Sequence, residues 1–411
     1  MVNRANRLGV GIVATRRGFL KAAGAVAAAP YVITTAALGS KGRPAASDRI
    51  VMGGIGIGNQ GSGDLRAFLS FPEVQTVAVC DVRKGARDGA ADAVNKKYGN
   101  TDCAVYNDFR ELLARPDIEA IHTAPPDHWH GLITIAACRQ GKDVYCQKPL
   151  SLTICEGRAM VQAARRYGRV FSGGSQRVLD DYGGVARKCF SGQLGVIQEL
   201  FVNVGGPSRP CNLPAQPVPP DIDWDFWLGP APWAPYHPYR CSGTYSINGT
   251  GWRSWRDYSG GGMTDWGAHK FGGAMFAGDI RGTGPVEVIP PDGKEHKWLT
   301  YVFAGGLRMY HTPGQGNVEA KGTGQPIPPR PMPVYKGKGG IYGDFVHCVR
   351  TRERPFRDVE FSHRTASVCH LGNIAYLLGR PIKWDPVKEE ILNDAEASRL
   401  LDRPKREPWC L

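Results

Sequence analysis

The 411 residues contain no Cys-x-x-Cys pair and no His and Cys residues at metal-ligand spacing. These absences exclude a thioredoxin-like redox pair and predict no structural zinc or other metal site. Eleven cysteines are present, an odd number, and Cys80, Cys138 and Cys146 fall in predicted strands and helices. They read as buried free thiols and not as a disulfide framework. Basic residues exceed acidic ones by 13, yet no clustered cationic stripe exists to follow a phosphate backbone, so nucleic acid is not an expected partner. Residues 1–49 hold eight basic residues and one acidic, so +7 of that charge sits there and +6 on the remaining 362. Long apolar runs are also missing. The nearest candidate, Ala22 to Leu38, is alanine-rich and interrupted by Pro30, too short and broken to cross a bilayer. Ahead of it, Thr15-Arg16-Arg17-Gly18-Phe19-Leu20-Lys21 reads as a twin-arginine address for export in the folded state, which predicts a periplasmic protein with no membrane span once mature. Folding in a reducing cytoplasm before export agrees with unpaired thiols.

What the chain does have is a glycine spacing. Arg49 to Ile55 reads as a buried strand, and Gly56-Ile57-Gly58-Asn59-Gln60-Gly61 then opens a helix carrying Leu65, Phe68 and Leu69. Gly56 permits a tight turn, Gly58 lets the backbone approach a pyrophosphate, and Gly61 allows close helix–strand packing at a helix N-terminus that attracts anions. A second strand, Val74 to Cys80, ends in Asp81, twenty residues after Gly61. Its carboxylate suits a ribose 2′-hydroxyl and repels a 2′-phosphate, so NAD is expected over NADP, with Arg83 pulling the other way.

From residue 49 to about 170 strands and helices alternate, the strands being the glycine-loop strand, Val74–Cys80, Ile118–Thr123, Val144–Cys146 and Val170–Gly173. Alternation of this kind predicts a doubly wound parallel sheet. A helix is expected from His128 to Gln140, stopped at Gly141. Beyond residue 175 the texture becomes Pro-, Gly- and aromatic-rich, and the glycine fingerprint does not recur. Strands are expected at Gln198–Val204, Val286–Ile289, Trp298–Phe303 and Leu307–Tyr310, a loop over 311–340, and helices at Tyr342–Thr351 and His363–Leu378. The fold class is therefore α/β, an N-terminal Rossmann sheet followed by an α+β domain with a mainly antiparallel open sheet. The expected divisions are 1–48 (signal and linker), 49–174 (dinucleotide domain), 175–385 (substrate and oligomerisation domain) and 386–411 (surface tail).

Gln147-Lys148-Pro149-Leu150, directly after the strand at Val144, resembles the Glu-Lys-Pro signature of the Gfo/Idh/MocA family. So do Pro125-Pro126-Asp127-His128-Trp129-His130, Gly174-Ser175-Gln176, Asp265-Trp266-Gly267-Ala268-His269 and Arg380-Pro381-Ile382-Lys383-Trp384-Asp385. The likeness covers nearly all of residues 49–411 and is greatest to the exported branch that includes glucose–fructose oxidoreductase relatives and NAD-dependent glycosidases. It implies a nicotinamide dinucleotide, a carbohydrate substrate and a homodimer or homotetramer; export to a compartment without a supply of free dinucleotide adds the expectation that the cofactor is tightly held. Lys148 follows the carboxyl end of a parallel strand, where open α/β sheets place ligands, and its ammonium suits a reacting hydroxyl. Asp265 and His269 are four apart, so a helix starting near Thr264 sets both on one side, the imidazole as base and the carboxylate holding its orientation or contacting a neighbouring sugar hydroxyl, with Asp265 positioning both His269 and Lys148.

Pro125, His128, His130, Gln147 and Gln176 are expected around the cofactor, and Trp252 and Arg253 around the substrate. Gln147 departs from the family glutamate and removes a negative charge beside Lys148, which predicts that Gln147→Glu raises the lysine pKa. Lys270 and Gly273 stand where relatives often carry histidine and aspartate. Six tryptophans lie between Trp224 and Trp266; one or two are expected as stacking platforms for a sugar ring, the others as core. His363, His370 and Asn373 on one late helix read as capping or interface residues.

Overall fold

The computed structural model describes residues 44–243, 251–313 and 316–411. The twin-arginine signal lies outside the described residues. Of residues 1–49 only Pro44–Arg49 are described, with one 3₁₀ turn at Ala46–Asp48. Ile50–Leu411 forms a single unit built on two sheets.

The first sheet takes its strands from β1 (Ile50–Ile55), β2 (Val74–Cys80), β3 (Ala104–Tyr106), β4 (Ala120–Thr123), β5 (Asp143–Gln147) and β6 (Phe171–Gly174). Their order is β3-β2-β1-β4-β5-β6 and every pairing is parallel. The order reverses beside β1, which opens a crevice at the carboxyl ends of β1 and β4. Helices α1 (Asn59–Leu69), α2 (Lys84–Tyr98), α3 (Phe109–Leu113), α4 (His130–Arg139) and α5 (Ile154–Arg166) make the crossovers. β3, three residues long, is an edge strand that the sequence reading missed. The helix expected from His128 is split: a 3₁₀ turn at Asp127–Trp129 precedes α4.

The chain then runs through α6 (Gly183–Phe190), β7 (Ile197–Val204), α7 (Trp224–Leu228), α8 (Pro238–Cys241), α9 (Gly262–Asp265), α10 (Gly267–Ala277), β8 (Glu287–Ile289), β9 (Leu299–Val302), β10 (Arg308–Pro313), β11 (Val318–Gly322), α11 (Gly340–Thr351), α12 (Val359–Leu378), β12 (Ile382–Asp385) and β13 (Glu390–Ile391). Seven strands form the second sheet in the order β11-β7-β10-β9-β8-β12-β13. Only β7 and β10 pair in parallel; the other neighbours are antiparallel. One face carries Leu200, Val202, Val288, Tyr301 and Met309 into a core shared with Phe271 and Met275 of α10 and Leu371 of α12.

Two expectations need correction here. The stretch 311–340 is not all loop, because Val318-Glu319-Ala320-Lys321-Gly322 alternates along β11 and pairs with β7. The segment after residue 385 is not only a surface tail: β13 joins the sheet edge, and Trp409 packs edge-on against Trp129 at 4.8 Å and Phe226 at 5.3 Å.

Candidate functional site

The crevice above β1 is shaped by backbone that cannot carry side chains. Gly56 has φ +75°, and a Cβ there would stand 2.5 Å from Pro125 N; at Gly61 a Cβ would stand 2.0 Å from Gly56 O. Gly58, by contrast, faces open space, with no heavy atom within 4 Å of its Cβ position. The glycine turn is thus packed on its inner side and open where a diphosphate would meet the start of α1. A cavity of about 470 Å³ extends from it, lined among others by Asn59, Gln60, Asp81, Arg83, Pro125 and Trp252.

At its far end Asp81 Oδ2 accepts from Ile57 N at 2.7 Å and Oδ1 from Arg83 N at 2.8 Å. Burial pushes the Asp81 pKa up, while those two N–H groups and the Arg83 and Arg87 guanidinium charges act against the rise. Each carboxylate oxygen keeps a lone pair for a ribose hydroxyl. The Arg83 guanidinium donates to Cys241 Sγ at 3.0 Å, which turns it to the covering segment.

That segment, residues 221–243, lies over the crevice. Lys84 N donates to Asp221 O at 2.8 Å, Asp223 N to Val82 O at 3.0 Å, and Asn107 Nδ2 to Asp223 Oδ2 at 2.9 Å; Ile222 forms an antiparallel bridge with Arg83. Its core is Trp224 and Trp227, stacked 4.9 Å apart, with Trp255 and Tyr258.

The reactive end is assembled from three separate elements. Lys148, just past β5, donates from Nζ to Asp265 Oδ1 at 2.5 Å, and Arg253 Nε lies 3.4 Å from the same oxygen. Arg253 also donates to Gly243 O at 2.9 Å and its guanidinium sits 4.2 Å above the Trp252 ring. The expected single helix over Asp265 and His269 is broken at Trp266, where α9 ends and α10 begins. Asp265 holds Lys148 directly, and its charge acts on the imidazole as well. His269 Nδ1 lies 2.8 Å from Ser175 Oγ, a residue whose role the sequence reading missed. Burial, then the Lys148 ammonium, hold the His269 pKa well below its usual value, with Asp265 opposing. The ring is a neutral base at pH 7.

Two further acids come into play. Asp64 of α1, fully buried, accepts from Gln60 Nε2 at 2.9 Å, from Tyr342 OH at 2.8 Å, and from Gln147 Nε2 at 3.0 Å on both oxygens. Burial lifts its pKa to about 6, and those donors together with Lys148 lower it. Asp127, also fully buried, is pushed up to about 7 by burial with Asp265 adding to the rise, while the Ser259 hydroxyl, Arg253 and Lys148 pull it down.

Four expected cofactor residues stand elsewhere, the first being Gln147, which is buried and held on Asp64. His130 does not line the cavity: its ring nitrogens lie 2.6 Å from Pro149 O and 2.9 Å from Pro125 O, tying the turn after β4 to that after β5. His128 turns away to Trp227 O at 3.0 Å. Burial lowers both to about 4. Gln176 donates to Tyr342 OH at 3.2 Å and belongs to the Asp64 network. Lys270 points into the second sheet, donating to Asn203 O and Gly316 O. His363 pairs with Glu389, His370 with Ser151 O and Asn373 with Gly260 O. Among the six tryptophans, Trp224, Trp227, Trp252 and Trp255 belong to one buried cluster, of which Trp227 and Trp252 also line the cavity; Trp233 is exposed, and Trp266 is partly exposed beside His269 with ring centroids 5.8 Å apart.

A model described as oxidoreductase family, NAD-binding Rossmann fold, matches residues 49–175, and one for the same family's C-terminal α/β domain matches residues 204–298 and 335–411. The chain belongs to the Gfo/Idh/MocA family. Its first sheet is thus the NAD-binding Rossmann fold of that family. A glycosyl hydrolase family 109 protein of Saccharopolyspora erythraea is 35% identical over 125 residues, which are 29% of this chain and 27% of that protein; the match spans little more than a quarter of that relative. The fold is similar to GenD2 from gentamicin A biosynthesis in complex with NAD (TM-score 0.58, 16% identity, 82% of this chain and 97% of that one). It is also similar to aldose–aldose oxidoreductase from Caulobacter crescentus complexed with glycerol (TM-score 0.55, 17% identity, 82% and 99%). Among the described residues no helix is long and apolar enough to cross a membrane.

Proposed function

We propose that this Gfo/Idh/MocA protein is an NAD-dependent oxidoreductase acting on a hydroxyl carbon of a sugar, glycoside or polyol. The observation that carries the reading is the Lys148–Asp265 pair, with His269 in its electrostatic field, joined through Arg253 to the wall of the dinucleotide crevice that Arg253 and Trp252 line. When bound, the nicotinamide supplies a hydride acceptor and donor. His269 takes the hydroxyl proton of the substrate as a neutral base. Lys148, anchored by Asp265, gives a remaining N–H to the oxygen as it gains negative charge. Arg253, backed by the buried Trp252 ring, offers hydrogen bonds at the cavity wall, and the partly exposed Trp266 offers a stacking surface for a pyranose ring. A carboxylate at Asp81, with Arg83 turned to Cys241, favours NAD over NADP.

The covering segment over residues 82–84 supports a cofactor kept through turnover, so the oxidising half-reaction would be followed by reduction of a second carbonyl compound. The glycosyl hydrolase family 109 relative favours a second reading, a redox-neutral glycosidase in which transient oxidation permits elimination and the hydride then returns. A dinucleotide-loaded sugar sensor without turnover is the third, and the neutral His269 beside an anchored Lys148 speaks against it. Incubating the protein as isolated with free sugars and aryl glycosides, while following cofactor absorbance and aglycone release, separates the three. Cofactor reduction without aglycone supports the oxidoreductase, aglycone without added NAD the glycosidase, and neither with sugar binding retained the sensor. Export through the twin-arginine route, followed by assembly as a homodimer or homotetramer through the second sheet, completes the proposal; periplasmic location lost on replacing Arg16 and Arg17 by lysine tests the first part.

A further inference from the structure

His269 has one ring edge committed. Its Nδ1 lies 2.8 Å from Ser175 Oγ, and that same Oγ lies 3.2 Å from Ala268 O. Ser175 is 1% exposed and His269 4%, so each polar atom relies on these contacts. A serine hydroxyl has one proton and two lone pairs. If it donated to Nδ1, its lone pairs would face those of the Ala268 carbonyl and one buried contact would be lost. Donation to Ala268 O satisfies both contacts, because Oγ then accepts a proton from Nδ1.

We propose that Ser175 is a positioning residue that fixes the His269 tautomer: it donates to Ala268 O, accepts from Nδ1–H, and so leaves the Nε2 lone pair for the substrate hydroxyl proton. This deepens the reading of His269 as base and rests on it. Among the described residues no hydrogen bond reaches Nε2. The arrangement also differs from a carboxylate-held imidazole. Asp265, the acid nearest in sequence, pairs with Lys148, so a neutral hydroxyl orients the ring and stabilises an imidazolium less than a directly bonded carboxylate does. The charged groups facing His269 are Lys148, Arg177 and Arg357, which disfavour its protonation, and Asp265, which favours it. A proton taken up at Nε2 is therefore weakly held and readily returned when the reaction runs backwards, as a two-way hydride exchange requires.

The test reads the tautomer directly. Protein purified with its own dinucleotide and labelled with ¹⁵N-histidine is examined by long-range ¹H–¹⁵N spectroscopy at neutral pH, His269→Gln identifying the resonance. Wild type is expected to carry the proton on Nδ1, Ser175→Ala to lose that preference, and Ser175→Thr to keep it. On whichever sugar or aryl glycoside is turned over, Ser175→Ala should lower kcat by about 10- to 100-fold, within the range of general-base catalysis, with KM unchanged and the threonine variant restoring it. A wild-type proton on Nε2, or an alanine variant with an unaltered tautomer, overturns the proposal, and the wild-type spectrum decides it even if the alanine variant does not fold. Full turnover by His269→Gln would sink the base reading separately, leaving the tautomer assignment to stand on its spectrum.

Discussion

Two carboxylates bracket the Lys148 side of the site, and they differ in what they do. Asp265 touches the ammonium directly, whereas Asp64 sits behind Gln147, which donates to both of its oxygens. The negative charge that Gln147 withholds from this place is thus present one residue deeper, on α1. Replacing Gln147 by glutamate would set two carboxylates face to face in a buried position, so the expected outcome is lost stability, of order 3–5 kcal/mol if both stay ionised, and not simply a more basic lysine. Pairing it with Asp64→Asn should restore most of the loss, and a double-mutant cycle by chemical unfolding measures the coupling. Asp127 allows a second prediction. Its folded pKa of about 7 lies above the unfolded value of 3.8, so the unfolded chain releases the proton first as pH rises. The cost is absent below pH 4, accumulates between 4 and 7, and is constant above. Asp127→Asn should therefore match wild type near pH 4 and exceed it at pH 8 by roughly 2–4 kcal/mol, the free-energy equivalent of such a shift; equal stability at pH 8 refutes this.

At the scale of elements, the covering segment depends on one close approach. Gly229, at the end of α7, has φ +51°, and a Cβ there would fall 2.1 Å from Trp129 Cζ2. Trp129 lines the crevice, and Trp409 packs on it from the other end of the chain. Gly229→Ala must strain the backbone and push the segment off that ring. The expected result is faster loss of the dinucleotide, by about tenfold or more if some 1.4 kcal/mol of closure is forfeited, seen as depletion of bound cofactor on dialysis; retention equal to wild type counts against a covering role. Elements of this kind are where sequence reading stopped. The glycine turn, Asp81 and the strand before Lys148 are local patterns and were legible with their positions nearly right. β11 was not, because its two-residue alternation is only five residues long inside a glycine- and proline-rich stretch. The four-residue spacing of Asp265 and His269 assumes one continuous helix, and it does not reveal that α9 ends and α10 begins at Trp266. Ser175 and Asp64 carry no motif at all; they reach their partners across 94 and 83 residues, a proximity that only the folded chain creates.

For the whole molecule the open question is what meets the outer face of the second sheet. The inner face is filled by α10 and α12, so alternation along β7, β9 and β10 turns Phe201 and Tyr310 outward. They stack at 5.2 Å, with Trp298 edge-on at 6.2 Å from Phe201 and 6.1 Å from Tyr310, and Lys321 and Lys297 stand over Phe201 and Trp298. Glu199 and Arg308 stand two residues from Phe201 and Tyr310 on β7 and β10, and Glu319 of β11 pairs with Phe201. An aromatic centre ringed by both signs of charge suits a two-fold contact with a second copy, since each basic rim residue can meet an acidic one across the axis. Phe201→Glu with Tyr310→Glu should then yield monomers by analytical ultracentrifugation at micromolar concentration, while the crevice, on the other sheet, keeps its dinucleotide. Wild type sedimenting as a monomer under the same conditions, or a variant whose mass is unchanged, would show that this face has another use. Loss of cofactor together with loss of mass would mean instead that assembly supports the site.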